Sequence, residues 1–151
     1  MNRSLYYCDN KSLSYDIHDI FNIIIDIEKY PEFLPLCSEV VIISKNETTN
    51  EIEAILKIKK GFFSYNFKCL IQITRSDKLI TINILDYKNS LKNFKCYWAL
   101  KKMDNLTTNV KFFIDFDINN SIMLFTMKPL FHYQTKLVSK HFMHRIIKLL
   151  D

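Results

Sequence analysis

Apolar and polar side chains alternate along residues 51–118, and this period of two restricts the fold more than any other feature of the chain. For example, Leu56 and Ile58 alternate with Lys57 and Lys59. Because successive side chains of a β-strand point to opposite faces, each such run has one apolar and one polar face. Short polar connections separate the runs, at residues 46–50, 60–61, 76–78 and 104–105. We therefore predict a series of half-buried antiparallel strands.

Helical periodicity flanks this series on both sides. Upstream, Ser14 can cap a helix with one apolar stripe. The stripe comprises Ile17, Ile20, Phe21, Ile24 and Ile25. Downstream, Asn120 or Ser121 can cap a helix that runs to the last residues, with a kink or break expected at Pro129. Its apolar stripe comprises Leu130, Leu137, Val138, Phe142, Ile146 and Leu149. About twenty helical residues span roughly 30 Å, enough to cross a sheet.

The segment between the first helix and these strands, residues 27–37, is apolar although its prolines favour a loop. Pro31 and Pro35 forbid a continuous helix or a central strand, and they bias Tyr30 and Leu34 toward extended geometry. Three large apolar side chains lie in this segment: Phe33, Leu34 and Leu36. They require a dry environment, which leaves the domain core, a ligand cavity or a membrane surface.

Glycine and cysteine usage excludes several kinds of site. The chain has one glycine, whereas a Walker loop needs two and a Rossmann fingerprint three. Its four cysteines lie 27 to 32 residues apart, without the CxxC pair of a zinc site. We interpret them as small buried thiols in a reducing compartment: Cys8, Cys37, Cys69 and Cys96. No apolar run is long enough to span a membrane and no signal-peptide core begins the chain, so we expect a cytoplasmic protein.

Basic residues exceed acidic ones by five in this chain of 151 residues, and the pI is near 9.0. The lysines that could meet a partner are Lys57, Lys59, Lys60, Lys101, Lys102, Lys136 and Lys140. Anionic lipid, RNA and plain solvation of strand ends all remain open for this set. An aromatic platform like those of RNA-binding sheets is not evident. We predict no DNA partner.

No residue pattern favours catalysis. His141 and His144 are neighbours on a helix, but no acidic residue joins them in an HExxH-like pattern. Asp115 and Asp117 lie on the polar face of a strand, where exposure to solvent explains them better than acid–base chemistry. We therefore predict a protein that is not an enzyme and has no metal or cofactor.

The segment YPEFLPLC, residues 30–37, resembles the YPxFLPxC loop of the coenzyme Q-binding START-like family. That family belongs to the polyketide cyclase/START superfamily and includes bacterial ribosome-association toxins. Asp86, Trp98, residues 112–117 and residues 138–145 resemble further parts of the family pattern in the same order. The chain differs where Tyr87-Lys88-Asn89 replaces Gly-Pro-Phe, where a glycine before Trp98 is missing, and where Leu36 replaces a frequent Trp.

The resemblance implies an α+β helix-grip fold over residues 1–151. In this fold a curved antiparallel sheet of about seven strands wraps around a long C-terminal helix. It also implies an apolar ligand site between the sheet and that helix. The candidate ligand-binding residues are Phe33, Leu34, Pro35, Leu36, Phe67, Trp98, Phe112, Val138 and Phe142.

Three functions remain open, in order of preference. The first is a non-catalytic lipid chaperone for ubiquinone or a polyprenyl precursor, supporting ubiquinone biosynthesis and respiratory electron transport. Its basic rim would contact the inner face of an anionic membrane. The second is a toxin-like protein that binds the large ribosomal subunit. The third is an enzyme of the cyclase or hydrolase kind.

Overall fold

The computed structural model describes residues 4–61, 63–85, 91–119 and 121–151. Its strands are β1 Ser4–Leu13, β2 Cys37–Asn46, β3 Glu51–Lys60, β4 Phe63–Thr74, β5 Leu79–Ile84, β6 Leu91–Lys102 and β7 Thr108–Ile118. Its helices are α1 Ile17–Ile25, α2 Tyr30–Phe33 and α3 Ser121–Leu150, with a 3-10 turn, Ile27–Lys29, before α2. Asp86, residues 87–89, Asn120 and the Leu130 side chain lie outside the described residues.

Within these described ranges the seven strands form one antiparallel sheet in the order β1-β7-β6-β5-β4-β3-β2. Consecutive strands from β2 to β7 are neighbours, whereas β1 pairs with β7, from Ser4 opposite Asp117 to Leu13 opposite Thr108. The predicted succession of a helix, the proline segment, a series of antiparallel strands and a long final helix is confirmed, and the sheet has the expected seven strands. The strands could be predicted because the alternation of apolar and polar side chains fixes which face of a strand must be buried.

The inner face of the sheet and α3 share one hydrophobic core. Trp98 of β6 lies opposite Phe112 of β7, and both rings are almost fully buried. Phe142 of α3 packs on Trp98 at a centroid distance of 4.5 Å. Leu124, Phe131 and Ile146 are also buried along α3. The helix-grip α+β fold is therefore confirmed.

Helix α1 and the proline segment differ from expectation. Asp16, not Ser14, caps α1, since its carboxylate accepts a hydrogen bond of 2.8 Å from the His18 amide. Tyr30 is helical rather than extended and opens the single turn of α2, where Pro31 suits the first helical positions because its missing amide would have had no partner there. Leu34 is extended as predicted.

Helix α3 runs without a break from Ser121 to Leu150, so a break at Pro129 is wrong. Pro129 is exposed, and water can therefore satisfy the carbonyl that its missing amide leaves unbonded. Leu149, predicted to be part of the apolar stripe, is 49% exposed. The stripe has turned away from the sheet by that point, while Ile146 remains fully buried.

The cysteines follow the sequence interpretation in three of four positions. All four are free, and Cys37, Cys69 and Cys96 are buried whereas Cys8 is half-buried. Burial raises the pKa of the Cys69 and Cys96 thiols to about 12. These two thiols therefore stay protonated and act as small apolar core residues.

Candidate ligand-binding cavity

A cavity of about 200 Å³ lies between the proline segment, the end of β3 and residues 134–141 of α3. Its surface is mainly apolar and partly open to solvent. The lining residues are Leu34, Pro35, Leu36, Lys59, Gln134, Leu137, Val138 and His141. The cavity thus lies where the proline segment meets the end of β3 and α3.

Backbone hydrogen bonds fix the proline segment as one wall of this cavity. The Leu34 amide donates to the Tyr30 carbonyl at 2.9 Å, which closes the α2 turn. The Lys59 amide donates to the Leu36 carbonyl at 2.9 Å and ties the segment to β3. The buried Tyr30 hydroxyl donates to the Ile24 carbonyl, and burial raises the pKa of this phenol, which therefore remains a neutral donor. A wall held in this way is preorganised for a ligand.

Helix α3 forms the opposite wall because a second, mixed face lies beside the face that enters the core. One face, including Phe131, Phe142 and Ile146, enters the core. Residues 134, 137, 138 and 141 recur at helical spacing on the adjacent face, and that face borders the cavity.

An ion pair and an aromatic cluster hold the two walls together. Arg145 donates to the Glu32 carboxylate at 2.9 Å and lies 5.2 Å from the centre of the Phe33 ring. Phe33 in turn contacts Phe142 edge-to-face, with centroids 5.0 Å apart. Because Glu32 is half-exposed, we attribute more of the attachment to ring packing than to the ion pair.

Three polar side chains interrupt the apolar lining: Lys59, Gln134 and His141. Gln134 is half-buried, and its Nε2 atom is shielded from solvent and has no hydrogen-bond partner among the described residues. Lys59 lines the same cavity from the end of β3, and its side chain is exposed. The lining is therefore apolar with a few polar residues among its apolar ones.

The structure places the nine predicted ligand-binding residues in two groups. Four of them line the cavity: Leu34, Pro35, Leu36 and Val138. Five lie elsewhere: Phe33, Phe67, Trp98, Phe112 and Phe142. Among these five, Trp98 stacks on Phe112 and contacts the tilted ring of Phe142, with a centroid distance of 4.5 Å in each pair. These three buried rings fill the space between sheet and helix. Phe67 is half-buried and packs on Tyr65 at 4.5 Å.

Sequence reasoning missed Gln134 and assigned different roles to Lys59 and His141. No local pattern marks Gln134, since it is one polar residue beside an apolar stripe. Lys59 resembles any lysine at a strand end, and only the pairing of β3 with the proline segment brings it to the cavity. Helical spacing from Val138 was the available signal for His141.

The outer face of the sheet carries an aromatic cluster that the sequence does not reveal. Phe113 lies between Tyr6 and Tyr97, with centroid distances of 5.4 and 4.9 Å. The Lys95 ammonium lies 5.8 Å from the Phe113 ring, and Lys111 lies 5.7 Å from the Tyr97 ring. No local pattern shows this cluster, because β1, β6 and β7 contribute one ring each and β1 lies far from the other two in sequence. A hydrogen bond with Tyr97 also raises the pKa of the Lys111 ammonium.

The two carboxylates that the sequence analysis considered for catalysis lie on the outer face of the sheet, away from the cavity. Asp115 and Asp117 accept hydrogen bonds from Ser4 and Asn93 on the outer face. No cluster of three or more His, Cys, Asp or Glu side chains is placed to bind a metal among the residues described. No helix in that part of the chain is long and apolar enough to cross a membrane.

A curved antiparallel sheet around a long terminal helix, with an apolar cavity between them, defines a helix-grip ligand-binding class. Residues 13–142 match the family described as polyketide cyclase / dehydrase and lipid transport. The chain belongs to this family, and the START-like resemblance of its sequence is confirmed.

Two relatives differ in how much of the chain they match. The ribosome association toxin RatA of Rickettsia prowazekii is 28% identical over 119 residues, which cover 79% of this chain and 80% of the relative. The mitochondrial coenzyme Q-binding protein COQ10 of Dictyostelium discoideum is 35% identical over 51 residues. That match covers 34% of this chain and 25% of the relative, so the toxin similarity is the more extensive.

Solved structures show the same fold at low identity. The Zhui aromatase/cyclase of a Streptomyces species superposes with a TM-score of 0.85 at 8% identity, over 98% of this chain and 96% of that one. An 18 kDa protein of Caulobacter crescentus superposes with a TM-score of 0.74 at 16% identity, over 96% of this chain and 97% of that one. These similarities establish the architecture, and the chemistry depends on the residues of each site.

Proposed function

We propose that this protein binds an apolar ligand without transforming it, and that the ligand is ubiquinone or a related polyprenyl lipid. The cavity between the proline segment and α3 is the observation that carries the proposal. A cavity of about 200 Å³ accommodates part of such a molecule, and the remainder would extend through the open side. The coenzyme Q-binding relative supports the choice of ligand.

A non-catalytic role suits the described lining, which contains no carboxylate, hydroxyl or thiol group. The cyclase and hydrolase alternative needs polar groups arranged around a reacting atom, and some proteins of this fold are cyclases. In the proposed function, the protein therefore shields its ligand from water and does not act on it chemically. Contact with an anionic membrane, through the basic surface, would allow the ligand to be exchanged.

Extraction of the purified protein with organic solvent, followed by mass spectrometry, tests the choice of ligand. We expect an isoprenoid quinone or precursor in the extract, in molar proportion to the protein. A Val138→Trp protein prepared in parallel controls for lipid carried along nonspecifically. Repeated extracts without any isoprenoid would exclude ubiquinone and its precursors.

Val138→Trp is expected to reduce ligand binding at least tenfold while the protein remains folded. Val138 is half-buried and borders the cavity, so the larger side chain can occupy the space of the ligand. In a filled core the same change would cost about 1–3 kcal/mol of stability. Binding of a short-chain ubiquinone and thermal unfolding should be measured on the same samples. Normal ubiquinone binding by this variant would disprove the location of the site.

A second candidate function is binding to the ribosome, specifically to its large subunit. The more extensive similarity to the ribosome association toxin favours it. The cluster of Tyr6, Tyr97 and Phe113 with Lys95 and Lys111 also favours it, because an exposed ring such as that of Tyr6 can stack on an unpaired base while lysines contact phosphates.

We expect a Tyr6→Ala, Lys111→Met protein to cosediment with ribosomes at least tenfold more weakly. Stacking on one base contributes about 1–3 kcal/mol, and loss of one phosphate contact should lower the salt slope of binding by about one. Lys148→Met on α3 is the control, since it removes one exposed charge from a different surface. Unchanged cosedimentation of the double variant would exclude this face as the contact.

A further inference from the structure

The side of α3 that faces away from the sheet carries large apolar side chains. Phe125 is 84% exposed and Ile122 is 80% exposed. Pro129 and Tyr133 are exposed as well. These four residues recur at intervals of three or four, so they lie on one side of the helix. A single exposed apolar residue needs no explanation, but a contiguous apolar patch marks an interaction site.

The same helix carries the net charge of the chain. Residues 121–150 include five basic residues and no acidic residue, whereas the rest of the chain has sixteen of each kind. Arg145 pairs with Glu32, and the other four cations are exposed lysines: Lys128, Lys136, Lys140 and Lys148. No described carboxylate forms an ion pair with these lysines.

Two of these lysines continue the apolar row at the same helical spacing. We call the whole row the outer stripe: Ile122, Phe125, Pro129, Tyr133, Lys136 and Lys140. Its first half is apolar and its second half is cationic. An anionic membrane suits both halves, because acyl chains take up apolar side chains while lipid phosphates attract lysines.

Two other occupants suit the outer stripe less well. A second copy of the chain, bound through the same face, would bring two cationic helices together, and like charges repel. RNA would pair with the lysines, but Ile122 and Pro129 offer its bases neither an aromatic ring nor a side-chain hydrogen bond.

We infer that α3 docks on an anionic membrane surface through the outer stripe, with Phe125 among the acyl chains and Lys136 and Lys140 against the lipid phosphates. This inference deepens the proposed function and rests on it, because it specifies the membrane contact through which a ligand would be exchanged. Leu137, which lines the cavity, lies one helical turn from Tyr133. The docked face therefore borders the cavity lining on α3.

Cosedimentation with vesicles of phosphatidylcholine, with and without phosphatidylserine, tests the inference. We expect binding only where phosphatidylserine is present, and about tenfold weaker binding by Phe125→Ser, because one large ring no longer leaves water. Serine and phenylalanine have similar helix propensity, so thermal unfolding should not change. Leu106→Ser is the matched control, since Leu106 is 74% exposed in the loop between β6 and β7. Equal vesicle binding by these two variants would overturn the inference.

A pair of double variants tests the lysines. Lys136→Gln, Lys140→Gln should weaken vesicle binding about thirtyfold, at about fivefold for each lysine. Lys101→Gln, Lys102→Gln removes two exposed charges from β6 and is the matched control. The same loss in both double variants would overturn the inference, because only the net charge would then matter.

Tryptophan emission reports on insertion itself. Phe125→Trp adds an indole whose emission should shift to shorter wavelength on anionic vesicles and be quenched by lipids brominated in their acyl chains. Trp98 is 2% exposed, so its own emission should not respond. Binding without a shift or quenching would overturn the insertion of the outer stripe.

Failure of the inference differs from failure of the proposed function. An unmodified protein that does not bind anionic vesicles would overturn the inference even if its extract contains an isoprenoid. Vesicle binding by a protein whose extracts contain no isoprenoid would overturn the proposed ligand and support the inference. If Phe125→Ser lost cosedimentation with ribosomes and kept normal vesicle binding, the outer stripe would contact the ribosome and the inference would be wrong.

Discussion

A chain that ends at residue 128 is expected to be unfolded or insoluble. Among the described residues, the truncation removes three buried apolar side chains of α3: Phe131, Phe142 and Ile146. At about 1.5–3 kcal/mol each, their burial contributes roughly 4.5–9 kcal/mol, an upper estimate because the unfolded chain is partly collapsed. This is comparable to the net stability of a typical domain, about 5–15 kcal/mol.

The loss extends to the sheet, because α3 covers its inner face. Removal of Phe142 uncovers Trp98, whose other face stacks on Phe112. Expression of residues 1–128, followed by circular dichroism and thermal unfolding, measures the effect. Leu149→Ala in the full chain is the control, since Leu149 is 49% exposed and should change stability little. A 1–128 fragment that stays in solution and unfolds cooperatively would refute the role of α3 in the core.

Phe142→Ala is expected to lower the free energy of unfolding by about 3–5 kcal/mol. Phe142 is 1% exposed and contacts the rings of Tyr30, Phe33 and Trp98 at centroid distances of 4.5 to 5.1 Å. The substitution removes a side chain that joins the sheet, α3 and the proline segment. Urea unfolding of the variant measures this loss. A cost below about 1 kcal/mol would show that the cluster does not form the centre of the core.

Phe33→Ala is the matched comparison for Phe142→Ala. Phe33 belongs to the same cluster but is only half-buried, so its truncation should cost clearly less. The ring holds the proline segment against Phe142 and Arg145. We therefore expect Phe33→Ala to weaken ligand binding more than stability. A large fall in melting temperature with normal ligand binding would place Phe33 in the core rather than at the ligand site.

Local sequence patterns predicted only part of the candidate ligand site. The proline segment was recognisable because two prolines and three apolar side chains are rare in a connection, and Leu34, Pro35 and Leu36 do line the cavity. Trp98 and Phe112 belong to the same inner face, but α3 approaches closely enough for their rings to fill the space instead. The distance between sheet and helix decides which inward residues are core and which are lining.

The sequence by itself determined the order of elements, the buried face of each strand and the family of the fold. The order and the buried faces follow from periods of two and of three to four residues, which any short window of the chain contains. The family follows from the resemblance of residues 30–37 to its characteristic loop. Only the tertiary structure brought Lys59 and Gln134 to one cavity and assembled Tyr6, Tyr97 and Phe113 on one surface. Strand register and the packing of α3 determine these contacts. They bring together residues that are far apart in the chain, and no local sequence pattern relates such residues.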